Sequence, residues 1–176
     1  MGNNYIKKND FEIYIDNALI SYSKEYQFSY PGIHNISIIL YEENISMEKM
    51  FQGINSIVSV ELNTDKNNIF ISSIKEAFDE CKNLISFSLN GFNTSKIKSF
   101  HKLFHLAQIK NIDLSKFEAK ELEDISYMLS GTPIEEIELK NINTGKLVNM
   151  SHLFDGCTSL YKIKFDNFDT SKVIDM

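Results

Sequence analysis

Apolar and polar positions recur along this chain with a fixed beat. Ser46-Met47-Glu48-Lys49-Met50-Phe51 lines up with Ser73-Ile74-Lys75-Glu76-Ala77-Phe78, Ser99-Phe100-His101-Lys102-Leu103-Phe104, Asp124-Ile125-Ser126-Tyr127-Met128-Leu129 and Asn149-Met150-Ser151-His152-Leu153-Phe154. The anchors Phe51, Phe78, Phe104, Leu129 and Phe154 lie 27, 26, 25 and 25 residues apart. In each copy apolar residues fall at i, i+3 and i+4, as in Met150, Leu153 and Phe154. That spacing predicts a short helical turn with one buried stripe. A second landmark follows: Ile57 to Leu62, Leu84 to Leu89, Ile109 to Leu114, Ile134 to Leu139 and Leu160 to Phe165. Its last three positions alternate in-out-in, as a short half-buried strand does.

A period of this size predicts a solenoid. No unit can bury its apolar face alone, so the strands stack in parallel about 4.8 Å apart. The anchors, with Ile112, Ile137, Ile163 and their equivalents, then form a continuous core. A third signature closes each unit: Phe92-Asn93-Thr94-Ser95-Lys96, Ile142-Asn143-Thr144-Gly145-Lys146 and Phe168-Asp169-Thr170-Ser171-Lys172. The apolar residue tucks inward, and the polar ones supply turn chemistry and caps for the helical turn that follows. Phe117-Glu118-Ala119-Lys120-Glu121 departs from this pattern and reads as a more helical or less defined turn. The expected fold is an α/β repeat solenoid, with short parallel strands, helical turns and an antiparallel β cap at its N-terminal end.

The run Asn149-Met150-Ser151-His152-Leu153-Phe154-Asp155-Gly156-Cys157-Thr158-Ser159-Leu160, followed by Phe168-Asp169-Thr170-Ser171-Lys172-Val173, resembles the BspA-like leucine-rich repeat of bacterial and protist surface proteins. The resemblance extends over residues 46–176 and is strongest in the last unit. The two middle units diverge and are one residue shorter between anchor and strand. The resemblance implies a leucine-rich-repeat-type solenoid on a cell-surface or secreted protein linked to adhesion. It carries no catalytic residues.

The ends do not repeat. Residues 1–9 form a polar tail. Over residues 10–43, Phe11, Ile13 and Ile15 alternate with polar neighbours, as do Tyr26, Phe28 and Tyr30 before Pro31-Gly32, and then Ile36, Ile38 and Leu40. A three- or four-stranded antiparallel meander fits, covering the open end of the first repeat. A separate ligand-binding module is the other reading. Residues 44–176 make the solenoid of five repeats plus the start of a sixth, in which Met176 matches Met150. The expected natural array is longer, and its uncapped C-terminal repeat offers a surface for end-to-end association.

Composition narrows the function. Among 176 residues the formal charge is −6, with 18 basic residues that are all lysine. No basic stripe favours nucleic acid, and without arginine there is no bidentate phosphate clamp. No apolar run is long enough to span a membrane. The first 30 residues hold no signal-peptide core, and Ile6 occupies the place where a myristoylation signal after Gly2 needs Ser or Thr.

The residues able to carry chemistry sort by column. Cys81 and Cys157 share a column with Ile54, Ala107 and Thr132 and are expected as free buried thiols three repeats apart. His101 shares a column with Glu48, Lys75, Ser126 and Ser151; His105 with Gln52, Asp79, Ser130 and Asp155; His152 with Lys49, Glu76, Lys102 and Tyr127. These read as solvated positions without a third metal ligand. His34 has no nameable partner. The outward strand columns are Glu61, Ser88, Asp113, Glu138, Lys164 and Ser59, Ser86, Asn111, Glu136, Lys162. Glu136 is expected beside Lys162 and Glu138 beside Lys164. Glu61, Ser88, Asp113, Glu136, Glu138, Lys162 and Lys164 form the candidate protein-binding sheet face. The four sequons, at Asn35, Asn44, Asn93 and Asn149, matter only on a secreted chain.

No catalytic, cofactor-binding or metal-ligating residue is assigned. The expectation is a non-enzymatic module that binds a protein partner, not nucleic acid, without inserting in a membrane. It belongs to a surface or secreted adhesin-type protein; an intracellular leucine-rich-repeat scaffold is the alternative.

Overall fold

The computed structural model describes residues 11–20, 27, 29–40, 43–64, 66, 69–139, 142–165 and 167–176. The chain divides into two compact units, Met1–Glu43 and Asn44–Met176. In the first, β1 (Phe11–Ile15), β2 (Ala18–Ile20) and β3 (Ile36–Leu40) form an antiparallel sheet in the order β2-β1-β3. Asp16 and Asn17 both have positive φ, 50° and 69°, the geometry of a tight hairpin turn. β1 is central and β3 returns to its far side, so this is not a sequential meander. The polar tail and the strand expected around Tyr26 and Phe28 lie outside the described residues.

The second unit is a β-solenoid of about four turns. Each rung has a straight segment before its corner and another after it. Before the corner, β4 (Asn44–Ser46) pairs in parallel with β6 (Phe70–Ser73). Single parallel bridges at Ser99, Asp124, Asn149 and Asp175 carry that ladder onward. After the corner, β5 (Ser59–Asn63) pairs with β7 (Ser86–Asn90), and β8 (Glu136–Leu139) with β9 (Lys162–Phe165), again in parallel.

The corners overturn the expected α/β class. Among the described residues no helix forms, and the repeat is all-β. The reason is visible in the backbone. The fourth residue of each copied line is left-handed: Lys49, Glu76, Lys102, Tyr127 and His152 have φ between 50° and 56°. Four residues later the chain is left-handed again, at Gly53, Glu80, Leu106, Gly131 and Gly156. An α-helix of L-residues cannot contain such a residue. Instead each corner is a run of β-turns. Met50 N–H donates to Met47 C=O, Gln52 to Lys49 and Ile54 to Phe51, and equivalent bonds recur in the next four corners. The N–H groups in between point along the solenoid axis. Phe78 donates to Leu103 C=O at 3.2 Å, Phe104 to Met128 at 3.0 Å and Leu129 to Leu153 at 3.2 Å. Apolar residues at i, i+3 and i+4 therefore face the core from a turn chain, not a helix.

The core is the stack of corner anchors. Phe78, Phe104 and Leu129 are fully buried. The rings of Phe51, Phe78 and Phe104 lie nearly parallel, with centroids 5.4 and 5.8 Å apart. The closing loops pack as ladders too. Asn93, Asn143 and Asp169 each accept the N–H two residues on with Oδ1. Buried Thr94 accepts Glu118 N–H at 2.8 Å, and buried Thr144 accepts Asp169 N–H at 2.6 Å. These are Asx turns and inter-rung clasps, not helix caps.

Candidate functional site

The strand face brings part of the candidate set together. On β5 and β7, Glu61 stands opposite Ser88, while Ser59 and Ser86 hydroxyls meet at 2.7 Å. On β8 and β9, Glu136 stands opposite Lys162 and Glu138 opposite Lys164. Lys162 donates to Glu136 at 2.7 Å and Tyr161 hydroxyl donates to it at 2.5 Å. Those bonds, Lys162 first, hold the Glu136 carboxyl below the usual carboxylate range. Lys164 lies 3.9 Å from Glu138.

Between these two strand pairs the sheet is interrupted. The rung-three segment Asn111 to Leu114 joins neither β7 nor β8 as a strand. An open depression of about 360 Å³ lies there, lined by Asn111, Ile112, Asp113, Glu136, Ile137, Glu138 and Lys164. Four of the seven candidate residues line it, and Lys162 touches its rim through Glu136. Glu61 and Ser88 sit on the separate β5–β7 pair and do not. The alternation signalled the outward columns. What it missed was the gap, because Lys110-Asn111-Ile112-Asp113-Leu114 alternates as well as its neighbours do.

The corner face holds a second polar network, which the sequence columns misplaced. The histidine columns read as solvated, yet Asp79, Ser126, Ser130 and Ser151 are buried. Polar partners on adjacent rungs explain it for Asp79 and Ser126, while Ser151 Oγ donates to Asn149 Oδ1 at 2.8 Å within its own rung. Gln52 Nε2 donates to Asp79 at 2.8 Å, and His105 Nδ1 meets Asp79 Oδ1 at 2.7 Å. His101 Nδ1 meets Ser126 Oγ at 2.7 Å, and burial pushes the His101 imidazole below its usual pKa. His152 stacks on Tyr127 at 4.4 Å. Among the described residues no group of three or more His, Cys, Asp or Glu is placed to hold a metal ion.

Cys81 and Cys157 are free. Cys81 is buried, donates its thiol to Phe51 C=O at 2.9 Å, and is pushed up in pKa chiefly by desolvation. Cys157 donates to Leu129 C=O at 3.0 Å but is only half-buried, in the last complete corner. His34, without a nameable partner in sequence, meets Asp16 at 2.7 Å.

A stack of near-identical rungs with an open, ion-paired polar face defines a β-solenoid repeat protein. Two segments, 45–134 and 132–176, match the family described as Mycoplasma protein of unknown function, DUF285. Together they cover most of the chain, and the chain belongs to that family. Neither a curated protein nor a solved structure matches it.

Proposed function

We infer that the chain is a non-enzymatic protein-interaction module and that the strand face around rungs three to five is its docking surface. The observation that carries this reading is the open depression bounded by Asp113, Glu136, Glu138 and Lys164. Its width and shallowness suit a macromolecular surface better than a small ligand, which needs enclosure. Two of the carboxylates there, Glu136 and Glu138, lie in rung-to-rung pairs with Lys162 and Lys164, an arrangement without the desolvation that tunes an acid–base pair. The resemblance to BspA-like repeats supports placing the module in a surface or secreted adhesin-type protein. Among the described residues no helix is long and apolar enough to cross a membrane.

The test is capture of surface-exposed proteins by immobilised wild type, followed by rebinding of each captured species to purified variants. Glu136→Lys combined with Glu138→Lys removes binding, whereas His152→Ala on the corner face leaves it intact. Binding indifferent to the charge reversal eliminates the strand face.

A further inference from the structure

The first unit leaves one sheet edge open. The Asp16-Asn17 turn makes Ile15 and Ala18 a hydrogen-bonded pair, so Ile13 and Ile15 turn their backbone groups toward β2. Tyr14 and Asp16 turn theirs the other way, and Asp16 N–H donates to Asn35 C=O at 2.8 Å. Ser37, opposite Tyr14, and Ile39, opposite Glu12, therefore face β1. Ile36, Ile38 and Leu40 point their N–H and C=O groups outward, and among the described residues no hydrogen bond engages them.

Edges of this kind are normally blunted by a charge, a proline, a bulge or brevity. β2, at the other edge of the sheet, is three residues long. β3 has none of these devices. It is five residues, Ile36-Ser37-Ile38-Ile39-Leu40, uncharged and in unbroken register with β1. Its isoleucines are bare on both faces of the strand: Ile36 is 57% exposed, Ile38 45% and Ile39 42%.

We propose that β3 pairs with β3 of a second copy of this chain, antiparallel about a two-fold axis at Ile38. The strand is its own complement in that arrangement. Ile38 stands opposite Ile38 of the second copy, and Ile36 opposite its Leu40. These are the residues whose backbone groups point outward, so every free donor meets a free acceptor, about six bonds in all. Ser37 falls opposite Ile39 in the intervening pairs. No charge opposes a like charge, and β-branched isoleucines meet across the seam. The joined sheet ends in the short β2 on both sides, so association stops at the dimer, as a closed isologous contact does. One strand edge buries far less than a permanent interface, so the dimer forms and dissociates with concentration. The surface belongs to the first unit, and the inference stands apart from the docking role proposed for the solenoid.

The test is sedimentation of the whole chain from about 1 µM to about 1 mM, the span in which so small an interface fills. Wild type shifts from monomer to dimer. Ile38→Lys and Ile38→Glu each set like charges opposite one another at the axis and stay monomeric. An equimolar mixture of the two variants dimerises, because opposite charges then meet. That rescue is specific to a residue that opposes itself. β1 does not use the Ile38 N–H, so the first unit stays folded in both variants, and hydrogen exchange at the Tyr14 and Ser37 amides checks it. A second measurement needs no variant. In a mixture of labelled and unlabelled wild type, isotope-filtered NMR shows Ser37 Hα against Ile39 Hα across the seam, the short contact of a non-hydrogen-bonded pair. Wild type that stays monomeric throughout overturns the proposal. So does association that grows beyond two copies, persists in Ile38→Lys, or is not restored in the mixture. Monomers that bind phosphatidylcholine vesicles, and lose that binding in Ile38→Lys, overturn it too and assign the strand to a lipid surface.

Discussion

At the scale of single residues, the repeat is written in backbone conformation as much as in apolarity. Ten corner positions are left-handed, and only three of them, Gly53, Gly131 and Gly156, are glycine. A side chain in that region costs on the order of 1 kcal/mol, so the remaining seven hide the turn from a reader who looks for glycine. Glu76 or Tyr127 looks like any helix-compatible residue, and the helical reading of the corners followed from that. The burial of Asp79 was equally illegible, because it depends on Gln52 and His105 one rung away on either side. The threonine clasp was half legible: Thr94 and Thr144 were read as turn residues, not as acceptors for the next rung. Thr94 is fully buried and holds Glu118 N–H at 2.8 Å. Thr94→Val keeps the shape and deletes the acceptor. It is expected to lower the unfolding free energy in urea by about 1 kcal/mol, the usual net worth of such a bond. A midpoint unchanged from wild type would remove the clasp from the account.

At the scale of elements, alternation was a reliable guide to strands and spacing a poor guide to corners. β1 and β3 stand where Phe11-Ile13-Ile15 and Ile36-Ile38-Leu40 alternate. The helical pattern i, i+3, i+4 does not distinguish a helix from a chain of β-turns, since both return to one face every three to four residues. Pairing order in the first unit was not written in any single strand; it follows from the Asp16-Asn17 hairpin and a long return to the far side of β1. That return is fastened by Asp16, whose Oδ2 accepts from His34 at 2.7 Å and from Tyr30 hydroxyl at 2.9 Å, while Oδ1 accepts Asn35 N–H at 2.9 Å. The His34 bond foremost, then those from Asn35 and Tyr30, hold the Asp16 carboxyl below its usual range, and Asp16 raises the His34 imidazole. The signs are opposite and define a window. The Asp16 contribution is present above about pH 4 and fades as pH falls through its lowered pKa. That of His34 is full below about pH 6.5 and fades as pH rises through its raised pKa. Protection of the Asp16 and Asn35 amides is therefore expected to be highest between those limits and to fall on either side. Asp16→Asn flattens the profile; a bell that survives in that variant contradicts the clamp.

At the scale of the whole molecule, the solenoid was legible from period alone, because identical beats can only stack. The interrupted sheet was not, since it depends on which residue stands opposite which across rungs. Charges serve that stacking: Lys49 with Glu76, Lys98 with Glu123, Lys110 with Glu135 and Lys162 with Glu136 each join one rung to the next. Such exposed pairs contribute roughly 0–1 kcal/mol each, and the larger share of stability comes from the anchors. Phe104 is fully buried and stacks on Phe78 at 5.8 Å. Phe104→Ala is expected to cost about 3–5 kcal/mol by equilibrium unfolding and to expose both neighbouring rungs to proteolysis together; cleavage confined to rung three would contradict coupling through the stack. The solenoid depends throughout on corners that bond from rung to rung. Scalar couplings across hydrogen bonds, read by NMR on the labelled chain, test this most directly. The amide nitrogens of Phe78, Phe104 and Leu129 are predicted to couple to the carbonyl carbons of Leu103, Met128 and Leu153. Couplings from those amides to the carbonyls four residues earlier in their own rung would mean that the corners are helices and would contradict it.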